Sequence, residues 1–274
     1  MSGTPSTGEV LRRSGSHLHY WLTGPEDGPL VAFTPGATMD HRMFDAQVEA
    51  VSGAGYRVLT WDVRGHGLSK PIGEAEFTAG AVAGDLAALI SAAGRERAVL
   101  VGQSFGGYVS QELYLRHPER VLALVIIGST DLTVPPSKLE KVALKLTRAF
   151  FKVLPDGRRR KITAENTAAT PEAQRYAYRA TSMLSKEEFL RVWRAVTEVF
   201  RNDPEHRIEV PLLITHGEHD RAGTIAKTAP GWAAKEPDCR YAVIPDAGHN
   251  ANQDNPDFFN RVLLDFLREN VPPR

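Results

Sequence analysis

Predicted strands and helices alternate along most of the 274-residue chain. The β-rich segments 30–33, 56–61 and 98–101 are each followed by a segment whose apolar residues have helical spacing. Residues 121–127 are apolar throughout, which is typical of a parallel strand that is buried on both faces. This alternation predicts an α/β fold, in which helices cover both faces of a mostly parallel central sheet.

The alternation stops between about residues 131 and 206, where the spacing indicates helices alone. These helices are predicted over residues 139–151, 171–183 and 186–200. We therefore expect a core domain of residues 1–130 and 207–274, with residues 131–206 inserted as a helical segment. Because ligands bind at the carboxyl edge of open α/β sheets, the insertion is expected to lie over that edge.

The overall composition argues against several classes of partner. The chain has 33 basic and 33 acidic residues, so no global field favours nucleic acid or an anionic membrane. The N-terminus has neither a basic start nor an apolar stretch, and no run is long enough to span a membrane. Cys239 is the single cysteine, so an intramolecular disulfide is excluded. We expect a cytoplasmic protein with no nucleic-acid or membrane partner.

The hexapeptide GQSFGG, residues 102–107, stands at a predicted strand-to-helix junction and contains the pattern G-x-S-x-G around Ser104. A serine on so sharp a turn projects from strained backbone, so the residues two positions away must lack side chains. The following helix directs its N-terminal N–H groups toward developing negative charge. This setting favours Ser104 as a catalytic nucleophile over a plain turn.

A serine nucleophile needs a base, and His249 is the histidine best placed to serve it. It lies in Ala247-Gly248-His249, directly after the last predicted strand, where a loop reaches the same edge of the sheet as Ser104. His66 lies in a glycine-rich loop and is predicted to shape that loop by hydrogen bonding.

The base needs a carboxylate that fixes its tautomer and stabilises the imidazolium. Asp220 follows the predicted strand 212–215 and gives the chain order Ser–Asp–His, which accompanies this type of serine turn. Asp131, just past the strand 121–127, and Glu218 are the alternatives.

The oxyanion of an acyl-transfer reaction needs two preorganised N–H donors. We expect one from Phe105, the residue after the nucleophile. The loop after the strand 30–33 contains Pro35-Gly36-Ala37-Thr38, and its tight turn makes the N–H of Ala37 the second predicted donor.

Metal and cofactor signals are weak. His216, His219 and Asp220 form the one group of ligand-type residues at close spacing, and the predicted catalytic loop accounts for them better than a metal does. The pattern lacks a phosphate-binding or dinucleotide-binding fingerprint. We expect no metal and no cofactor. The basic run Arg158–Arg159–Arg160–Lys161 is predicted to be a solvated loop, with an anionic substrate or a docking protein as alternative roles.

With these residues in place, the chain resembles the α/β-hydrolase-fold superfamily, and within it the bacterial esterases, lactonases and cofactor-free perhydrolases. The resemblance covers nearly the whole chain. It rests on Pro35-Gly36, the segment DVRGHGLS at residues 62–69, GQSFGG, the Asp220 loop and Ala247-Gly248-His249. It implies the α/β-hydrolase fold, with residues 131–206 as the family's cap.

Departures from the family patterns narrow the activity that the resemblance implies. Ser104 stands where haloalkane dehalogenases and epoxide hydrolases of the superfamily carry aspartate, which argues against both activities. Pro35 replaces the usual histidine of the oxyanion turn, but backbone donors do not depend on that side chain. Asn250 follows the base, where relatives that cleave carbon–carbon bonds often carry tryptophan.

The residues and the resemblance together predict a carboxylesterase-like serine hydrolase. It would cleave a small or medium carboxylic ester, or a lactone, through an acyl-enzyme on Ser104. The alternatives are a perhydrolase, a carbon–carbon bond hydrolase or a lyase that uses the same triad. A non-catalytic small-molecule receptor on this fold is disfavoured because each triad residue is present. The expected partner is the small-molecule substrate, and the sequence leaves a homo-oligomer open.

Overall fold

The computed structural model describes residues 8–273 of the chain. This part contains eight strands: β1 (Glu9–Arg13), β2 (Ser16–Thr23), β3 (Leu30–Thr34), β4 (Arg57–Trp61), β5 (Ala98–Gln103), β6 (Val121–Ile127), β7 (Leu212–Gly217) and β8 (Cys239–Ile244). Its α-helices are α1 (Asp45–Gly53), α2 (Ala79–Ala92), α3 (Phe105–Arg116), α4 (Lys138–Val153), α5 (Asp156–Thr167), α6 (Pro171–Ser182), α7 (Lys186–Glu198), α8 (Ile225–Ala233), α9 (Ala251–Asp254) and α10 (Pro256–Asn270). Short 3₁₀ turns cover His41–Phe44 and Pro118–Arg120.

The strands form one sheet in the order β1-β2-β4-β3-β5-β6-β7-β8. The pairs β1–β2 and β2–β4 are antiparallel, and the remaining pairs are parallel. Gln103 pairs with Ile127, and Ile127 pairs with Thr215, so β5, β6 and β7 end at the same edge. The residues that follow these three strands are thereby brought together.

The central strands are buried on both faces, as their apolar sequences predict. In β6, Leu124 and Ile126 belong to one apolar cluster, and Ala123, Val125 and Ile127 belong to another. The alternation arises because successive side chains of a strand point to opposite faces. Helices cover both clusters, with α2, α3 and α8 on the first and α1 and α10 on the second. The predicted α/β class is confirmed.

Four helices, α4 to α7, occupy the chain between β6 and β7. Ser137 and Glu140 form a capping box that begins α4, and Ser185 and Glu188 form a second one that begins α7. Each box satisfies N–H groups that the first turn of a helix leaves without a partner. Each helix within residues 8–273 is too short or too polar to span a lipid bilayer.

The prediction that Arg158–Lys161 is a solvated loop is wrong, because the run lies inside α5. Arg159 is fully buried, donates a 2.8 Å hydrogen bond to Asp156 and lies 4.7 Å from the centre of the Phe189 ring. Apolar periodicity misses this helix because a buried guanidinium stands where an apolar residue is expected.

Candidate active site

Ser104 is the single residue between β5 and α3. Strand β5 extends beyond residue 101, where the predicted strand ends, and α3 begins before the end of the hexapeptide 102–107. The turn therefore consists of Ser104 alone. Ser104 has φ 51° and ψ −115°, a conformation that is costly for a residue with a side chain. Its N–H donates to the carbonyl of Ile127 at 2.8 Å, and its carbonyl accepts from the hydroxyl of Ser129. These bonds to the neighbouring strand hold the backbone in place.

The glycines on either side of Ser104 are required by close backbone contacts. A Cβ at Gly102 would overlap the carbonyl of Gly106, and a Cβ at Gly106 would overlap the carbonyl of Thr34. The steric reason given for the G-x-S-x-G pattern therefore holds in this protein. Helix α3 can approach the sheet closely enough to point its N-terminus at the serine.

Ser104, His249 and Asp220 lie in one hydrogen-bonded row. Ser104 Oγ is 2.8 Å from His249 Nε2, and His249 Nδ1 is 3.0 Å from Asp220 Oδ2. The carboxylate of Asp220 is fully buried, and the imidazole is 8% exposed. The carboxylate accepts a hydrogen bond from the protonated Nδ1. Nε2 then carries no proton and accepts from the serine hydroxyl. The three predicted residues thus have the contacts that a serine nucleophile and its base require.

The surroundings of Asp220 keep its carboxyl ionised. Burial by itself raises its pKa, but His249, the N–H of Ala222 and His216 together lower the pKa below its ordinary value. The N–H of Ala222 also donates to Oδ1 at 2.8 Å. A negative charge therefore faces the imidazole.

The two alternative acids are engaged elsewhere. Asp131 Oδ1 accepts from the N–H of Thr133 at 2.8 Å and from its hydroxyl at 2.6 Å, which stabilises a local turn. Glu218 is exposed and accepts from the N–H of Asp246 at 3.1 Å. In the described part of the chain, Asp220 supplies the carboxylate that meets the imidazole.

Gln103 is a site residue that the sequence reasoning missed. Its buried amide donates to the backbone carbonyl of His249 at 3.0 Å. A Cβ at Gly36 would overlap its side-chain oxygen, so the same side chain also lies against the predicted oxyanion turn. A polar residue at the end of an otherwise apolar strand was the available signal.

His66 forms a hydrogen bond within its own loop, as expected, and it also contacts the predicted oxyanion turn. Its Nε2 accepts from the N–H of Thr38 at 3.1 Å, and its Nδ1 lies 3.1 Å from the carbonyl of Arg64. These contacts specify a neutral ring with its proton on Nδ1. Burial lowers the pKa of His66, which agrees with the neutral form. Thr38 has φ 67°, so this bond supports a strained residue.

The two predicted oxyanion donors follow β3 and Ser104. Within residues 8–273, no protein acceptor receives the N–H of Ala37 or Phe105. Phe105 is the first residue of α3, where an N–H has no partner in its own helix. Both groups therefore remain available to a ligand.

The side chains of His216, His219 and Asp220, which are close in the sequence, do not converge on a common metal position. His216 Nε2 lies 2.6 Å from the hydroxyl of Tyr241, while Asp220 faces His249. The explanation of this trio by the catalytic loop is therefore consistent with the geometry.

Two other groups of potential ligand atoms lie within 4.8 Å of one another: Asp40, His41 and Asp62, and Glu218, His219 and Asp246. In the first group, Asp62 already accepts two hydrogen bonds from His41, and Asp40 is paired with an arginine. Ordinary hydrogen bonding accounts for this cluster, and the second group is exposed.

A family model described as the alpha/beta hydrolase fold matches residues 29–256. The chain belongs to this family. The resemblance drawn from the motifs is thereby confirmed, together with the fold that it implies.

Relatives of known activity are spread over several reactions. The chain is 26% identical to 3-oxoadipate enol-lactonase 1 of Acinetobacter baylyi, over 94% of this chain and 96% of the lactonase. It is 29% identical to a 2-hydroxy-6-oxononadienedioate/2-hydroxy-6-oxononatrienedioate hydrolase of Burkholderia vietnamiensis, over 92% of this chain and 91% of that hydrolase. A thermophilic esterase from Thermogutta terrifontis shares the fold, with a TM-score of 0.81, 23% identity and 95% and 98% coverage. These findings support the predicted enzyme class, a hydrolase of this fold.

Proposed function

We propose that this α/β-hydrolase cleaves a carboxylic ester or a lactone through an acyl-enzyme on Ser104. The observation that carries the proposal is the buried row from Ser104 Oγ through His249 to Asp220, with contacts of 2.8 and 3.0 Å. An uncharged serine hydroxyl is a weak nucleophile, and a base at hydrogen-bonding distance activates it.

In the first half of the proposed reaction, Ser104 Oγ attacks the carbonyl carbon while its proton moves to His249 Nε2. The ionised carboxylate of Asp220 stabilises the imidazolium that forms. The N–H groups of Ala37 and Phe105 donate to the oxyanion. His249 then gives the proton to the leaving alkoxide, and the carbon–oxygen bond breaks. In a lactone the alkoxide stays tethered to the acyl group.

In the second half, water takes the place of the serine hydroxyl. His249 accepts its proton as the hydroxide adds to the acyl carbon, and then returns a proton to Ser104 Oγ as the acid leaves. The same groups serve both halves, so one geometry catalyses the whole cycle without a cofactor.

We further propose that residues 131–206 form the cap that shapes the acyl pocket. The Tyr176 hydroxyl on α6 donates to the carbonyl of Asp40 at 3.0 Å, and the hydroxyls of Thr181 and Thr38 are 3.0 Å apart. These contacts hold α6 against the loop after β3.

The other end of the segment is held against the loop that carries the base. The N–H of Asn250 donates to the carbonyl of Thr167 at 2.6 Å, and Asp254 accepts the N–H groups of Ala169 and Thr170, each at 2.8 Å. The helices thus contact both loops that flank Ser104, which is the position that a substrate-shaping cap requires.

The chemistry of the residues favours ester and lactone hydrolysis over the reactions of other relatives. An aspartate nucleophile, the superfamily feature of epoxide hydrolysis, is replaced by Ser104. Asn250 follows the base in place of tryptophan, which weighs against carbon–carbon cleavage. The enol-lactonase relative acts, by its name, on the bond class that an acyl-enzyme opens directly.

The proposal is tested by labelling with a fluorophosphonate probe and by peptide mapping. We expect a single adduct on Ser104 in the wild type, its loss in Ser104→Ala and a strong reduction in His249→Ala. Ser91→Ala, at an exposed serine of α2, is the matched control and should label normally. An adduct on another residue would overturn the assignment of the nucleophile.

A substrate panel then tests the reaction class. p-Nitrophenyl esters of increasing acyl length, lactones, a vinylogous diketone and an ester with hydrogen peroxide as acceptor are compared. Turnover of esters or lactones should fall by about 10⁴-fold or more in Ser104→Ala. If labelled protein turned over the diketone alone, the triad would stand and the ester proposal would fall.

A further inference from the structure

Helix α4 carries a stripe of large apolar side chains on the surface of the protein. The stripe consists of Leu139 (79% exposed), Val142 (52%), Leu146 (65%), Phe150 (48%) and Val153 (76%). Their spacing of three and four residues places them on one face of the helix. Scattered exposed apolar residues are ordinary, but a contiguous row of five indicates a surface that contacts another apolar phase.

The stripe does not serve the packing of α4 onto the protein. A different face does so, through the buried Phe151, whose ring lies 5.3 Å from that of Phe189 and 5.0 Å from that of Trp193. Leu144 and Thr147, on the same face as Phe151, are half-buried. The helix is therefore anchored without using the stripe.

A row of basic residues runs beside the stripe: Lys138, Lys141, Lys145, Arg148 and Lys152, all exposed. Helical geometry places these five on the sector between the stripe and the packed face. The single acid of α4, Glu140, is engaged with Ser137 in the capping box. Residues 138–161 hold nine Lys or Arg and two Asp or Glu, a net charge of +7 in a chain whose net charge is zero.

The pairing of an apolar stripe with a cationic row limits what can cover this face. A second copy packed antiparallel on the stripe would bring one cationic row against the other. A nucleic acid would match the charge but would leave the leucines in water. A lipid surface with anionic headgroups satisfies both features, since the stripe enters the interface and the lysines meet the phosphates.

We propose that α4 lies flat on an anionic lipid membrane and binds the protein to it reversibly. The 16-residue helix is about 24 Å long, and it needs only to lie in the headgroup region. The equal numbers of acidic and basic residues led us to expect no membrane partner. That average over the whole chain conceals the local positive charge of residues 138–161. The inference is independent of the proposed reaction, since it uses no residue of the Ser104 site.

The test is flotation of the full-length protein with lipid vesicles. We expect binding to phosphatidylcholine mixed with phosphatidylglycerol, weak binding to phosphatidylcholine alone, and release as salt is raised. Leu139→Gln and Leu146→Gln should each weaken binding about tenfold. Lys141→Gln and Lys145→Gln should each weaken it about fivefold.

Matched controls separate α4 from a general surface effect. Val10→Gln, at an exposed valine of β1, and Lys235→Gln, at an exposed lysine after α8, should bind as the wild type does. Thermal melting followed by circular dichroism checks that each variant is folded. Because both leucines are exposed, either one serves if the other variant fails to fold.

Four results would overturn the proposal. The first is equal binding to neutral and anionic vesicles, and the second is binding that the α4 substitutions leave unchanged. The third is a homodimer in sedimentation velocity that Leu146→Gln dissociates, with no binding to vesicles. Binding to polyuridylate without binding to vesicles would likewise replace the lipid by a nucleic acid.

Discussion

The replacement Asp220→Asn isolates the electrostatic part of the proposed mechanism. His249 Nδ1 is 3.0 Å from a fully buried Asp220 oxygen, so the centres of the two charges lie about 4 Å apart when the imidazole is protonated. With an effective dielectric constant of about 20, their attraction is about 4 kcal/mol. That energy corresponds to about 10³-fold in turnover.

The asparagine also disturbs the tautomer of the base. Its amide can donate to Nδ1, which would move the ring proton to Nε2 and prevent His249 from accepting the proton of Ser104. We therefore expect kcat for an activated ester to fall by about 10³- to 10⁴-fold, with a small change in KM.

Asp131→Asn is the matched control for this experiment. Asp131 also follows a strand at the same sheet edge, but it binds Thr133 rather than the imidazole. Stopped-flow or steady-state assays at neutral pH should show the kcat of Asp131→Asn within about tenfold of the wild type. The activation free energy would then rise by about 1.4 kcal/mol or less. A kcat for Asp220→Asn within tenfold of the wild type would refute the electrostatic argument, and so would an equal loss in Asp131→Asn.

Three further predictions concern stability and are checked by urea unfolding. His66→Ala should lower the free energy of unfolding by about 1–3 kcal/mol, because the buried N–H of Thr38 loses its acceptor, and His66→Gln should lose less. An unchanged midpoint in His66→Ala would contradict this role. Gly102→Ala should cost about 1–3 kcal/mol or more, since its Cβ would overlap a backbone carbonyl. Gly231 lies within α8, and a Cβ there would meet open space, so Gly231→Ala should leave the free energy of unfolding unchanged or raise it by up to about 1 kcal/mol. Equal effects of Gly102→Ala and Gly231→Ala would refute the steric argument. The lowered pKa of Asp220 gives stability at neutral pH that is lost as pH falls through its folded-state value, so the wild type should lose more stability than Asp220→Asn between about pH 5 and pH 2. Parallel losses would show that the carboxyl is not linked to folding.

The conformation of Ser104 is maintained by contacts from outside the turn. Its positive φ is supported by the bond from its N–H to Ile127, the last residue of β6, and by the bond from Ser129, just after β6, to its carbonyl. Gln103, one residue earlier, connects the same strand to His249. Positioning of the nucleophile is thus distributed over the sheet edge.

Choosing among the three candidate acids shows the limit of sequence reasoning at the site. Asp220, Asp131 and Glu218 all follow parallel strands that end at one edge, and the chain order favours the first without excluding the others. The conformation of the loop after β7 decides the matter, because it buries Asp220 against His249 and leaves Glu218 exposed.

The sequence determined those features that depend on local physics. Apolar runs specify strands that are buried on both faces, and the strict steric demands of a strand-to-helix turn leave a recognisable pair of glycines around Ser104. These requirements involve residues that are close together in the sequence, so they can be recognised from the sequence alone.

Tertiary structure decided which surfaces are covered. Arg158–Lys161 resembles a solvated loop, but packing against α7 buries Arg159 in a helix. Conversely, Leu139 and Leu146 have the spacing of a helix core and remain exposed, since α4 packs through Phe151 instead. Burial is a property of what lies opposite a side chain, and residues distant in the sequence supply that neighbour.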